Sequence, residues 1–163
     1  MKRIVMVLAM VSTLACDKPV DVAKAVQMNV VTSGWLAAGS AGGKNKAGGK
    51  NKIVPAVALR LKNGSNEMLN AVQVNAVFRL ISTNDEIGSD FRPVSGSGGL
   101  APDASTDTIM LKAQRGYTGA DPFEDLLKNS QFVDAKVEVF VKAGPGQWTR
   151  AGEYPIAREF TGK

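Results

Sequence analysis

The chain contains no histidine and a single cysteine, Cys16, among its 163 residues. Without imidazole or a second thiolate, the usual transition-metal ligand sets cannot be assembled. Nor is there a histidine to activate a serine or cysteine nucleophile. One cysteine also excludes an internal disulfide framework. Aromatic residues are sparse, at 6%, and the cations are gathered rather than spread. Of the 20 lysines and arginines, Lys2 and Arg3 lie at the N-terminus and Lys44, Lys46, Lys50 and Lys52 in one segment. The other 14 stand against 15 acids, so the rest of the chain is close to neutral. A nucleic-acid face would need cations spread over a surface and interleaved with aromatics, and no such partner is expected. The longest early apolar run, residues 4–11, is too short to cross a bilayer as a helix.

That short run is nonetheless informative, because of what flanks it. Lys2 and Arg3 precede it, and Ser12-Thr13-Leu14-Ala15 leads from it to Cys16. A positive end, a short apolar core and a small residue at the cut are the layout of a secretory leader. With a cysteine directly after the cut, the segment resembles a bacterial lipoprotein signal. The resemblance implies that Cys16 takes a lipid and that residues 1–15 are removed. The unpaired thiol, which otherwise needs explaining in a secreted chain, is accounted for in this way. Asp17 resembles the inner-membrane retention signal of enterobacterial lipoproteins. The expectation is a lipid-anchored protein of the bacterial cell envelope facing the periplasm, with the inner membrane slightly favoured over the outer.

The remaining 148 residues suit one domain with its own core. Residues 16–27 read as the lipidated cysteine and a polar tether, and residues 28–163 as the domain. Residues 28–36 are rich in strand formers. Residues 41–52 are the tandem repeat Ala-Gly-Gly-Lys-Asn-Lys, twice. Two six-residue copies make no solenoid, and Gly and Lys offer no apolar face to bury, so the whole repeat reads as a mobile surface loop. Its four lysines, Lys44, Lys46, Lys50 and Lys52, are a candidate contact for an anionic surface.

Beyond the repeat, alternation carries the reading. Val57, Leu59 and Leu61 alternate against Ala58, Arg60 and Lys62, the period of a half-buried strand. Asn63-Gly64-Ser65 is a turn. Val72, Val74, Ala76, Phe78 and Leu80 then share one face of a strand. Residues 87–92 and 106–111 make two further strands, and residues 116–119 read as a turn. Asp121-Pro122-Phe123-Glu124 predicts a short helix with Asp121 as N-cap and Glu124 returning the cap. Residues 133–141 alternate strictly, with Asp134, Lys136 and Glu138 on the polar face, and a last strand is expected from Trp148 to about Phe160, interrupted by Gly152 and Pro155. About seven short strands and one helix predict an all-β, two-sheet sandwich.

Several of these residues carry a second resemblance. Residues 55–63, then Val72-Gln73-Val74 and Phe78, then Leu100-Ala101-Pro102 before Thr106, are similar to immunoglobulin-like domains of the FxLYD type. In those, an Asn-containing turn joins two strands and a Leu-x-Pro-Gly turn precedes a later one. Asp103 stands here in place of that glycine. The resemblance implies an immunoglobulin-like sandwich and carries no catalytic residue.

Searches for chemistry within the chain return little. Residues 43–49 break phosphate-loop spacing, and Asn51 follows the lysine where a metal-binding Ser or Thr is required. Asp85-Glu86, Asp103/Asp107 and Glu124-Asp125 are neighbours on turns, not acids facing each other across a cleft. Residues 84–90 gather oxygen ligands around Gly88, but a strand-to-strand turn has the same composition and the spacing is not that of an EF-hand. Trp35, Tyr117, Trp148 and Tyr154 suit either core packing or a binding surface. The expected function is a membrane-anchored, non-enzymatic interaction or structural module with an envelope protein as partner and no cofactor. The alternative is a ligand- or lipid-binding accessory of an envelope transport system.

Overall fold

A computed structural model describes residues 20–41, 50–96 and 98–161. Cys16, Asp17, Lys44 and Lys46 lie outside the described residues. The pattern that organises the fold is clearest in residues 135–142. There Ala135, Val137, Val139 and Val141 are buried while Lys136, Glu138, Phe140 and Lys142 are half-buried on the opposite face. Side chains two apart share a face, so β-branched residues at alternate positions give one apolar side. In chain order the elements are α1 (Val22–Ala25), β1 (Val26–Ala41), β2 (Lys50–Asn63), β3 (Gln73–Leu80), β4 (Glu86–Pro93), β5 (Ile109–Lys112), β6 (Tyr117–Gly119), α2 (Phe123–Leu126), β7 (Ala135–Lys142) and β8 (Thr149–Pro155).

These strands form two antiparallel sheets, one in the order β1-β2-β5 with β6 also paired to β2, the other in the order β4-β3-β7-β8. Inner faces meet in a core that includes Val57, Leu59 and Leu61 from the first sheet and Val74, Phe78, Val137 and Val139 from the second. This is the all-β sandwich expected from the alternation. Its strand order is that of an immunoglobulin domain, with the first two strands and a later one in one sheet and a C′-C-F-G arrangement in the other.

The structure corrects the sequence reading in several places. The domain begins before residue 28: Val22 and Ala25 are buried in α1, and β1 starts at Val26. The repeat is not loop throughout. Ala41 pairs with Lys50, Ser40 with Asn51, and Lys52 lies in β2 opposite Thr118 of β6. Backbone pairing needs no apolar face, so the lysine-rich segment enters the ladder. Residues 53–59 are buried without alternation. β2 is flanked on both sides, and its small Ala56 and Ala58 stand between Gly34/Thr32 on one neighbour and Lys112/Met110 on the other. Residues 117–119 form β6 rather than a turn, giving eight strands among the described residues. Helix α2 is a single turn whose N-cap is Pro122, with no side-chain cap, so neither Asp121 nor Glu124 plays its expected role.

At the end of the sandwich where β1 begins, Asn63 is a wholly buried polar residue. Its Nδ2 donates to the carbonyls of Glu67 (2.8 Å) and Leu100 (2.9 Å). Its Oδ1 accepts from the Ser65 backbone N–H (2.9 Å) and is paired with Ser65 Oγ (2.7 Å). The backbone N–H of Asp103 donates to the Asn63 carbonyl. The Asn-containing turn and the Leu100-Ala101-Pro102 turn are thus tied together. Asp103 has φ of 59°, the left-handed conformation that glycine adopts most easily and that Asp tolerates.

Candidate interaction surfaces

Two features of the fold lie open to a partner, and they sit at different ends. The first is the β1–β2 hairpin. Trp35 is the last deeply buried residue of β1, packed edge-on against Phe132 at 4.7 Å between ring centroids. Beyond it, residues 36–41 continue, paired with residues 50–54. Six residues of strand extend roughly 20 Å, and Ala37, Ala38 and Gly39 on this arm are exposed. Lys50 and Lys52 lie on it, where Lys52 Nζ donates to the Gln114 carbonyl (2.8 Å) and Asn51 Nδ2 to the Asp121 carbonyl (2.8 Å). Helix α1 is at the opposite end of β1. A strand of 16 residues puts the two ends roughly 50 Å apart.

The second feature is the outer face of the β4-β3-β7-β8 sheet, which divides into an aromatic and a charged half. One row across it reads Phe91, Asn75, Phe140, Arg150. Phe91 and Trp148 are 52% and 42% exposed, too open for core residues, and meet edge-on at 6.2 Å. Because β3 and β7 stand between them, this contact requires the 143–148 connection to fold over the outer face. The next rows are charged. Arg79 pairs with Glu138 (3.0 Å) and Glu86 (3.6 Å), Arg150 with Glu138 (2.9 Å) and Glu153, and Lys136 with Glu153 (3.3 Å). Three cations meet three acids, so this half is neutralised internally and the exposed large side chains of the face, Phe91 and Trp148, are aromatic.

Burial pushes the Glu138 carboxyl up, but hydrogen bonds from Arg79 and Arg150 outweigh it and hold the group below its ordinary 4.5. The paired Arg158 similarly holds Asp134 below 3.8. Both groups take up protons less readily in the folded chain than in the unfolded one. Their stabilisation is present above about pH 4.5 and lost as pH falls through the lowered folded-state values. Thermal melts are expected to show a falling midpoint between pH 5 and about pH 3. Glu138→Gln should lower the midpoint at neutral pH and flatten part of that acid slope.

Sheet edges are poorly suited to adding a strand. Three of the edge strands, β1, β4 and β8, each carry a register shift, at Val31, at Ile87 and at Ala151. An extra residue of this kind twists an edge away from pairing. The remaining edge is made by the short strands β5 and β6. One cavity, of about 130 Å³, is lined by Val22, Val26, Met28, Val141 and Tyr154 among others. It is smaller than the 300 Å³ or so at which small-molecule pockets begin. A larger hollow of about 530 Å³, beside Val20 and Gly64, is shallow and lined mainly by polar groups.

The structure separates the residues singled out from the sequence. Trp35 is buried, and its indole N–H finds no acceptor among the described residues. Tyr117 packs on Phe132 at 5.4 Å, and Tyr154 borders the small cavity, so three of the four aromatics serve packing. Trp148 is the exception. In the oxygen-rich segment, Asp90 is engaged by Arg92 (3.2 Å) and the Lys112 N–H (3.1 Å). Among the described residues no group of three or more acidic or thiol side chains is placed to hold a metal. Phe91 and Phe140 were not singled out, although the signal existed. Continuing the polar face Asp134, Lys136, Glu138 by one step puts Phe140 on the solvent side. Among the described residues, no helix is long and apolar enough to cross a membrane. No protein-family model matches the chain, and no curated protein matches it.

Proposed function

We propose that the chain is a lipid-anchored envelope protein whose immunoglobulin-like sandwich is a non-enzymatic interaction module. The observation that carries this reading is the arm formed by the ends of β1 and β2, whose β2 side is held by β6 while its β1 side leaves Ala37, Ala38 and Gly39, and Lys50 opposite Ala41, exposed. The lipoprotein-like leader, Cys16 and Asp17 support a place at the membrane facing the periplasm, the inner membrane being slightly favoured. The resemblance to FxLYD-type domains is supported by the joining of the Asn63 and Leu100 turns. A protein with an anionic surface suits Lys44, Lys46, Lys50 and Lys52. The ligand-binding alternative is less well supported, because the more enclosed cavity among the described residues, of about 130 Å³, is too small for a drug-sized or lipidic guest and the larger hollow is shallow and polar.

Cys16→Ser is expected to abolish acylation and move the full chain from the membrane to the soluble fraction on cell fractionation. Retention of an unlipidated variant would defeat the anchor. For the arm, a photo-crosslinker at Ala38 is expected to capture one envelope protein reproducibly, and Lys50→Glu to reduce that capture with an unchanged melt. Crosslinks that Lys50→Glu does not affect would remove the arm from the reading.

A further inference from the structure

We infer that the sandwich rests its Trp148–Phe91 corner on the lipid headgroups beside its own anchor, instead of standing clear of the bilayer on a tether. This rests on the anchored reading above. The first argument is length. The sequence suggests a tether of about eleven residues after Cys16, but the structure shortens it. Val20 is half-buried, and Val22 and Ala25 are buried in α1, which packs against β1 and β8. Only residues 17–19 separate Cys16 from Val20. Four Cα–Cα steps reach at most about 14 Å, about twice the headgroup layer of one leaflet, so even a fully extended link leaves the domain only a few ångströms beyond the headgroups.

The second argument is position. Val22 and Ala23 line the same small cavity as Thr149 and Arg150, and Trp148 immediately precedes Thr149. The chain therefore enters the domain beside the exposed indole. The neighbouring 143–148 connection is at this same end, since Gly144 N–H donates to the Asn70 carbonyl, close to where β3 begins. A domain held this close cannot keep its α1 end far from the bilayer.

The third argument is chemistry. Trp148 and Phe91 are large, exposed and in contact with each other, on the half of the sheet face whose groups are not locked in ion pairs. Indole and phenyl rings are favoured at the headgroup level of a membrane, where one side is apolar and the other wet. Lys142 stands near them, in register with Gln73 on the same outer face, at the depth where cations meet lipid phosphates. With this end on the bilayer, Lys50 and Lys52, at the far end of β1–β2, point away from it. The anionic surface they meet is then that of a partner and not of the anchoring leaflet.

The test uses the full chain, processed by the cell, purified in detergent and reconstituted in phosphatidylcholine/phosphatidylglycerol vesicles. Some vesicles carry a spin label near the headgroup and others a label deep in the acyl chains. The chain has two tryptophans, and Trp35 is buried at the end away from the anchor. Tryptophan emission is expected to fall more with the shallow label than with the deep one, and Trp148→Phe, at an exposed site, should abolish that fall. If mass spectrometry finds no acyl group on Cys16, the anchored reading and this inference both fail. If the chain is acylated and vesicle-bound but the shallow label leaves its emission unchanged, or Trp148→Phe keeps the quenching, only this inference fails.

Discussion

Val137→Asp is expected to unfold the domain, whereas Lys136→Asp, one residue earlier, should cost about 1 kcal/mol. Val137 is fully buried in β7, opposite Phe78 of β3 and Tyr154 of β8. A carboxyl there has Ala135 and Val139 two positions to either side on its own strand, both buried and apolar, and gains no partner from them. Burying a polar group without a partner costs about 4 kcal/mol or more, a large part of the 5–15 kcal/mol that holds a typical domain together. Lys136 points the other way. Its ammonium lies 3.3 Å from Glu153 at a partly exposed site, where an ion pair adds little. Denaturant or thermal melts of the two variants check register and burial together. Comparable midpoints would mean that residues 135–142 do not present these faces to core and solvent.

The same alternation explains how much of the fold was legible in advance. Where a strand has one wet face, as β3 and β7 do, side-chain period two is written directly into the residue order, and both strands fall where expected. β2 defeats that rule. Strands on both sides shield Ala56 and Ala58 as well as Val57 and Leu59, so burial there reflects the width of the sheet, which no local window contains. The arm was hidden for a related reason. Lys50 and Lys52 give no apolar signal, yet the hydrogen-bond ladder from Ile53 continues through them because it depends on the backbone alone. Helix α1 is one turn, held by packing of Val22 and Ala25; Asp21 at its N-cap makes no side-chain cap, and four residues are too few to show a helical period. The aromatic corner was half legible. Phe140 could be placed outside by parity, but the meeting of Phe91 with Trp148 depends on a connection folding across two strands, a tertiary fact with no sequence period.

Asn63 tests whether the joined turns at the α1 end are a structural element or only local chain reversals. If Asn63 merely shaped its own turn, Asn63→Asp would be nearly silent, because a carboxylate oxygen accepts the Ser65 N–H as well as the amide oxygen does. The geometry demands more. The amide nitrogen is the group that faces the Glu67 and Leu100 carbonyls, and Asp would set an acceptor against two acceptors at a site with no solvent. Asn63→Leu removes the side-chain bonds outright. Each carbonyl retains one other partner, the Leu69 N–H for Leu100 and Ser65 Oγ for Glu67, which limits the loss to roughly 2–4 kcal/mol at about 1–3 kcal/mol per compromised group. Asn63→Asp is expected to be at least as damaging at pH 7. It should also differ in its pH dependence, because the two carbonyls and burial raise the folded-state carboxyl above its unfolded value. The folded variant then binds the proton more tightly, so its deficit relative to the parent shrinks as pH falls toward about 4, where a protonated carboxyl donates one bond. Melts of parent, Asn63→Leu and Asn63→Asp at pH 7 and about pH 4 separate the cases. An Asp variant equal to the parent at both values would reduce Asn63 to a turn residue, and the link between the two turns would have no energetic weight.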